Sequence, residues 1–301
     1  MHWAAIALLS AGVLGLVSIF DKTVIYRYAG TPLTLPLLIG FAQTSLGLVI
    51  IAAVRVPDDA TWEAVGWAVL SGLLFGLGGL LLMRVLYSQE VSRTIPVTQT
   101  SPLFAAFIAL AFLGEAISAL QWAGIVATVA GAILLSLRIE RGYSTIFLHR
   151  SFYLLTLCAL IQATATVIIK VAVDDLPVLF THGLRILGLG LVFLAFNFRP
   201  RPLRDIHGFV SKRSPALLVV GLNELVIANG GLLLLLWALS EGPVSLVLAL
   251  NSIRALFVVL YSTALALVWR GFLGEETARA VIALKVGATG LIVVGIAGIV
   301  L

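Results

Sequence analysis

The chain alternates long apolar runs with short segments that carry most of its charged residues. A helix that spans a bilayer needs about 20 apolar residues to cross about 30 Å of hydrocarbon, so each run is long enough for one span. The 61% hydrophobic residues exclude an ordinary soluble domain, in which about 45–50% is usual. The sequence therefore predicts an all-α integral membrane protein with ten transmembrane helices. The predicted spans are Trp3–Phe20, Leu35–Val54, Trp67–Tyr87, Ile95–Leu113, Leu120–Leu137, Phe152–Val173, Val178–Phe196, Pro215–Leu239, Val244–Val268 and Val281–Leu301.

Two short motifs occur twice, in the same order. The stretch GGLLLMRVLYS at Gly78–Ser88 returns as GGLLLLLWALS at Gly230–Ser240. The tetrapeptide FLGE lies at Phe112–Glu115 and again at Phe272–Glu275. These duplications predict two repeats of five helices each.

The predicted repeats comprise residues 1–140 and 141–301. Because each has an odd number of helices, the second enters the membrane from the opposite side, as in many secondary transporters. Lys and Arg lie mainly in the odd-numbered loops, whereas the even-numbered loops hold only Arg55 and Lys170. The positive-inside rule then predicts cytoplasmic odd loops and both termini outside.

Both halves also share a longer order of features. An alanine- or serine-containing turn is followed by a small-residue helix, Leu-Gly-Glu and a glycine-rich helix, as in Leu86–Leu135. Trp237–Ser262 and the second FLGE repeat this order, which resembles the EamA-like branch of the drug/metabolite transporter superfamily. The resemblance covers essentially the whole chain. It implies a central cavity built from helices 1–4 and 6–9, and cytoplasmic termini, opposite to the orientation that the charges predict.

Few charged residues lie inside the predicted spans, where each costs about 2.5–3.5 kcal/mol on insertion scales. Arg185, Glu224 and Arg254 lie near the middle of helices 7, 8 and 9, whereas Lys22 and Lys170 are close enough to helix ends to reach the interface. A short turn joins helices 8 and 9, so Glu224 and Arg254 are expected at similar depth and can pair. Two interpretations stay open, a structural ion pair and a proton-coupling role for Glu224, in which proton release competes with substrate binding.

Polar residues recur at helical spacing within several predicted spans. Such stripes line a water-filled cavity, or they hydrogen-bond neighbouring helices, which is worth only about 0.6 kcal/mol on average. The resembled family builds its cavity from the helices that carry these stripes. The predicted substrate-binding residues are Gln43, Thr98, Ser101, Gln162, Thr166, Arg185, Asn251, Arg254 and Tyr261.

The repeated Leu-Gly-Glu falls between helices 4 and 5 and again between helices 9 and 10. Gly114 and Gly274 suit helix termination. Glu115 and Glu275 are expected at the N-terminus of the following helix, where the dipole stabilises a carboxylate by about 0.3–1 kcal/mol. Pro102 removes one backbone hydrogen bond and is a candidate bending point in helix 4.

Other features argue against several classes of function. The single Cys158 excludes an intramolecular disulfide, and the four histidines lack metal-ligand spacing, although His182 lies one turn before Arg185 near the predicted cavity. No phosphate-binding glycine loop is present. We therefore expect no catalytic residues, metal or cofactor and no nucleic-acid partner.

The sequence as a whole predicts a multi-pass transporter of the inner (plasma) membrane. It would move a small polar or amphipathic metabolite by alternating access, and export is expected, with proton exchange and facilitated movement both open. A lipid-carrier flippase is the alternative, and an intramembrane enzyme is less favoured. The expected partners are a small-molecule substrate and the lipid bilayer, with a monomer or homodimer as the assembly.

Overall fold

The computed structural model describes residues 2–28, 31–54, 56–57, 60–89, 91–136, 150–268, 287–295 and 298. These residues form helices and loops without a β-strand, and seven helices are long and apolar enough to cross a membrane. The all-α membrane fold is thereby confirmed. The helices are α1 (His2–Arg27), α2 (Thr34–Val54), α3 (Trp62–Ser88), α4 (Val91–Thr98), α5 (Ser101–Phe112), α6 (Ala119–Ser136), α7 (Arg150–Asp175), α8 (Val178–Asn197), α9 (Pro200–Ser211), α10 (Pro215–Leu222), α11 (Asn229–Glu241), α12 (Val244–Asn251) and α13 (Arg254–Val268), with a π-helical segment (Asn223–Ala228) between α10 and α11.

Helices from the two sequence halves pack against one another. In the centre, α2 contacts α8, and α3 contacts both α7 and α8. On the opposite side, α1 contacts α11 and α13. Lipid supplies no hydrophobic drive for such contacts, so small residues that let backbones approach are the usual solution.

Two glycines show how close this approach is. A Cβ at Gly72 of α3 would overlap the carbonyl oxygen of Arg185 in α8. A Cβ at Gly190 of α8 would lie 2.6 Å from the backbone nitrogen of Thr44 in α2. Both contacts are to backbone, which cannot move aside as a flexible side chain can. The α2–α8–α3 packing therefore depends on glycine at these two positions.

The fourth and ninth predicted spans are each broken at the equivalent point. The α4 helix ends at Thr98 and α5 begins at Ser101, while α12 ends at Asn251 and α13 begins at Arg254. A bend was expected in helix 4 at Pro102, and the interruption lies next to it; no interruption was expected in helix 9, although Val244–Leu265 still counts as one candidate span. Pro102, at the start of α5, explains the first break because it cannot donate the backbone hydrogen bond that would continue the helix.

The two broken helices lie side by side in opposite directions, since α12 packs on α5 and α13 packs on α4. Near the breaks, side-chain hydroxyls bond carbonyls three residues earlier, and such bonds bend helices. Thr98 Oγ1 donates to Ile95 O at 2.7 Å, and Thr100 Oγ1 donates to Val97 O at 2.9 Å. The second break has no proline and shows the same kind of bond, at Ser252.

The sequence predicts that Glu115 of the first FLGE motif lies at the N-terminus of the helix that follows it. That prediction is wrong, because α6 begins only at Ala119. Glu115 instead accepts hydrogen bonds from the backbone nitrogens of Val244 (2.6 Å) and Ser245 (3.2 Å), at the N-terminus of α12 in the other half. Gly114 has φ +66°, the left-handed conformation expected of a helix-ending glycine. Gly274 and Glu275 lie outside the described residues.

Part of the basic segment after α8 folds into α9, an additional helix that the sequence did not predict. Asp205 on α9 accepts a 2.6 Å hydrogen bond from Thr34 Oγ1, at the start of α2. This bond connects α9, which follows α8 in the chain, to α2, the helix against which α8 packs.

The Gly72 contact leads to a first prediction. Gly72→Ala places a methyl group against the Arg185 backbone, and such overpacking typically costs about 1–3 kcal/mol. We expect a lower melting temperature for the detergent-solubilised protein. The matched control is Gly66→Ala in the same helix, where a Cβ meets nothing within 4 Å. Equal melting temperatures for the two variants would contradict the packing argument.

A second prediction concerns the helix cap that Glu115 provides. Glu115→Ala leaves two backbone nitrogens of α12 without acceptors, and loss of a cap costs about 0.5–2 kcal/mol. We expect reduced thermal stability in detergent. Glu241→Ala, which removes an exposed carboxylate from the end of α11, should change stability less. A larger loss of thermal stability in Glu241→Ala than in Glu115→Ala would contradict the capping role of Glu115.

Candidate functional site

Buried polar side chains form a continuous hydrogen-bonded chain through the protein interior, here called the buried network. It draws on α1 and α2 from the first half, and on α8, the π-helical segment and α11 from the second. Each member is at most 5% exposed. Its members, in bonding order, are Asp21, Asn223, Glu224, Gln43, Asn229 and His182.

The Glu224 carboxylate accepts hydrogen bonds from amide groups of both halves. Asn223 Nδ2 donates to Oε1 at 2.9 Å, and Gln43 Nε2 donates to Oε2 at 3.2 Å. Sequence analysis placed Glu224 and Gln43 at the site separately, and the structure brings them into direct contact.

A second carboxyl group lies beside the first. Asn223 Nδ2 also donates to Asp21 Oδ1 at 2.9 Å, so one amide nitrogen bridges two acids. The two carboxyl groups are therefore neighbours that share one amide nitrogen. Sequence analysis missed Asp21 because it ended helix 1 at Phe20, whereas α1 continues to Arg27 and buries the next turn.

The π-helical segment explains why Asn229 was missed as well. Glu224 and Asn229 are five residues apart, a spacing that places side chains on different faces of an α-helix. One turn of π-helix brings residues i and i+5 over one another. Asn229 Nδ2 then donates to the backbone oxygen of Glu224, which also accepts from Gln43 Nε2. The signal in the sequence was the pair of asparagines flanking an acid in an apolar span.

His182 ends the buried network. Its Nε2 contacts Asn229 Oδ1 at 2.9 Å, while Asn229 Nδ2 donates to Gln43 Oε1. Since Asn229 Oδ1 can only accept, the hydrogen lies on His182 Nε2, and in the neutral imidazole Nδ1 then carries a lone pair. That lone pair has no hydrogen-bond partner among the described residues.

The predicted Glu224–Arg254 pair is not formed. Arg254 Nη2 donates to Ser18 Oγ at 2.7 Å, and Ser18 lies one turn before Asp21 on α1. The negative group that attracts Arg254 is Asp21, which the sequence interpretation did not consider. Equal depth on neighbouring helices was therefore insufficient to predict the ion pair, because Arg254 points towards α1 and its acid, Asp21.

The two lysines near helix ends behave differently from one another. Lys22 was predicted to reach the interface, but it is buried and donates to the carbonyl oxygens of Leu86 (2.9 Å) and Gln89 (2.6 Å) at the end of α3. These are carbonyls that a helix leaves without partners. Lys170 forms a 2.8 Å ion pair with the half-exposed Asp174.

Several predicted substrate-binding residues make no hydrogen bond to the buried network. Thr166 donates to Gln162 O in its own helix, which is the packing alternative. Thr98 and Ser101 flank the first helix break, and Tyr261 stacks on Phe257. Asn251 lies at the second break, and its buried Oδ1 has no hydrogen-bond partner within the described ranges.

Arg185 is buried in α8, one turn after His182. Its guanidinium carbon lies 4.2 Å from the centre of the Phe75 ring, and none of its three nitrogens has a hydrogen-bond acceptor among the described residues. It is therefore close to the buried network in sequence and space without being bonded to it.

The chain was compared with known proteins. The EamA-like transporter family matches residues 1–137 and 150–301. Over 141 residues the chain is 28% identical to an uncharacterized transporter in the cobO 3′ region of Sinorhizobium sp, covering 44% of this chain and 96% of the relative. It is 27% identical over 132 residues to an uncharacterized protein of Methanocaldococcus jannaschii, covering 44% of this chain and 94% of the relative.

A crystal structure of a protein matches the fold with a TM-score of 0.69 and 18% identity, covering 99% of this chain and 95% of that chain. This likeness concerns the fold alone. The family match spans both halves, and the resemblance drawn from the sequence motifs is confirmed. The chain belongs to the EamA-like transporter family and is a multi-pass membrane transporter.

Proposed function

We propose that this protein is a proton-coupled secondary transporter that exports a small polar or amphipathic metabolite. Asp21 and Glu224 hold the coupled proton, and Asn223 bridges them. The observation that supports this proposal is the amide bridge between two buried carboxyl groups, at the contact between the two halves.

The acid pair favours a bound proton. Two ionised carboxylates that share one amide nitrogen in the interior repel one another, and a hydrogen on either acid removes that repulsion. The bridging Asn223 amide can donate to both acids whether or not that hydrogen is present. The pair can therefore hold and release one proton without losing its position.

Arg254 provides the countercharge when the proton leaves. It is held beside Asp21 by its bond to Ser18, one turn away on α1. An arginine stays charged throughout, so it favours the ionised acid pair. A substrate that changes the hydrogen bonds of the buried network would alter this balance, and proton release and substrate binding then become linked.

The network also connects proton binding to alternating access. Gln43 on α2 belongs to the first half, and Glu224 belongs to the second. A hydrogen bond to a charged group contributes about 1.5–3 kcal/mol. The ionisation state of Glu224 therefore changes the free energy of the Gln43–Glu224 contact between the two halves. A ligand shifts a conformational equilibrium only by its difference in affinity between states, and this contact supplies such a difference for the proton.

The first experiment identifies a transported compound. Purified protein is screened by thermal shift against amino acids, nucleosides, sugars, organic acids and lipid-linked precursors, at acidic and mildly alkaline pH. Concentration-dependent stabilisation by a soluble compound is expected. Stabilisation by lipid-linked precursors alone would contradict the metabolite proposal and favour a flippase.

A third prediction tests the proton. Glu224→Gln keeps the size of the side chain but cannot exchange a proton. We expect flux driven by a pH gradient in proteoliposomes to fall about tenfold or more, as losing at least 1.4 kcal/mol of coupling implies. Counterflow without a gradient should persist. Glu241→Gln, an exposed acid at the end of the same span, is the control, and unchanged gradient-driven flux in Glu224→Gln would end its proton role.

A fourth prediction tests whether the two acids act together. Asp21→Asn should reduce gradient-driven flux as Glu224→Gln does, and the double variant should lose little more than either single one. Residues that act as a unit are not additive. The measurement is the same proteoliposome assay on all four proteins. Losses that multiply would mean that the acids act independently, which would contradict a shared proton.

A further inference from the structure

The Arg185 guanidinium is a buried charge that lacks a compensating group among the described residues. The residue is 2% exposed, and Nε, Nη1 and Nη2 all lack acceptors within the described structure. Its contact is the Phe75 ring, at 4.2 Å. Buried charges in proteins are normally paired and hydrogen-bonded, and a charged side chain within a span usually marks a pathway. Arg185 therefore requires an anionic partner that the described chain does not supply.

The two acids of the buried network, Glu224 and Asp21, already have other hydrogen-bond partners. Glu224 is held by Gln43 and Asn223, and Asp21 by Asn223. Arg254 is the arginine that faces Asp21. Arg185 thus stands apart from the proton-carrying pair, on the other side of the buried network.

A second unsatisfied group lies one helical turn away. His182 and Arg185 are three residues apart on α8, so their side chains emerge from the same face, about 5–6 Å apart at Cβ. His182 Nδ1 carries a lone pair without a donor. This face therefore offers donors for an anion and, one turn earlier, an acceptor for a hydrogen-bond donor.

We propose that Arg185 and His182 form a binding subsite for a carboxylate that carries a hydroxyl or ammonium group on the adjacent carbon. The guanidinium binds the carboxylate through two parallel N–H···O bonds, a geometry for which its planar fork is suited. His182 Nδ1 accepts from the adjacent donor. Phe75 supports the opposite face of the guanidinium. The inference rests on the proposed transport function, for which it names the substrate chemistry.

The subsite connects to the acid pair through side chains already described. His182 Nε2 bonds Asn229, Asn229 bonds Gln43, and Gln43 bonds Glu224. A solute that donates a hydrogen bond to His182 Nδ1 therefore binds at one end of the buried network, while the proton binds at the other end. Substrate and proton occupy separate places on one set of hydrogen bonds.

Thermal shift of the purified full-length protein in detergent tests the subsite with small probes. The probes are lactate, alanine and propionate, which share a three-carbon carboxylate, together with the uncharged lactamide. We expect lactate or alanine to raise the melting temperature more than propionate does, and lactamide to have no effect. Lactate and alanine distinguish a hydroxyl from an ammonium donor. Failure of all three carboxylates to stabilise the wild-type protein would overturn the proposal.

Substitution of the arginine separates binding from structural support. Arg185→Met removes the charge at similar length, so the ligand-induced shift should disappear. The ligand-free melting temperature should not fall, because an uncompensated buried charge has been removed. Arg201→Met, at an exposed position of α9, is the control and should keep the shift. A lower ligand-free melting temperature with an unchanged ligand shift would make Arg185 structural and overturn the proposal.

Substitution of the histidine tests the adjacent donor. His182→Leu should still respond to propionate, but the preference for lactate or alanine over propionate should be lost. A purely structural histidine would change the ligand-free stability without changing that preference. Retention of the preference would remove His182 from the subsite.

Flux measurements distinguish this inference from the transport proposal. Binding that depends on Arg185 without flux in proteoliposomes would leave the subsite standing and contradict transport of these solutes. Flux that persists unchanged in Arg185→Met would support transport and overturn the subsite.

Discussion

The side-chain amide of Asn223 bridges two acids, Asp21 and Glu224, in the buried interior of the protein. Inside a bilayer every polar group needs a partner from the protein. Asp21 comes from α1 and Glu224 from the π-helical segment, so this one bridge joins the first half to the second. The rest of the network extends from it, through Gln43 and Asn229 to His182. The positions of α2, α8 and α11 are thereby linked to the state of one carboxyl pair.

Close backbone packing makes that linkage stiff. Glycines at 72 and 190 let α8 approach α3 and α2 until backbone meets backbone, so α8 cannot shift without moving its neighbours. The same helix carries His182 and Arg185. The broken spans contrast with this packing, because α4–α5 and α12–α13 each contain a point where the helical bonds are interrupted. The protein thus combines a tightly packed α2–α8–α3 layer with two interrupted helices that lie side by side.

Sequence patterns predicted the spans well where a long apolar run met no interruption, as at α2 and α8. They failed at Asp21, because a hydropathy run ends where charge begins although the helix and its burial continue for two more turns. They identified Glu224 but paired it with Arg254, since spacing along two helices gives depth and not the direction that each side chain faces. Asn229 was missed because its five-residue spacing from Glu224 does not fit one face of an α-helix, and the π-helical segment aligns the two residues.

The sequence alone determined the membrane-spanning class, the order of the helices, the family and the few polar residues that could serve a site. These follow from local quantities, namely run length, hydropathy and motif order. The tertiary structure decided which of those residues meet. It placed Glu115 on the helix start at Val244 and Asp21 beside Glu224, and it left Arg185 without an acceptor in the described part of the chain. Such contacts join residues far apart in the chain, and they are fixed by how helices pack, which no local pattern encodes.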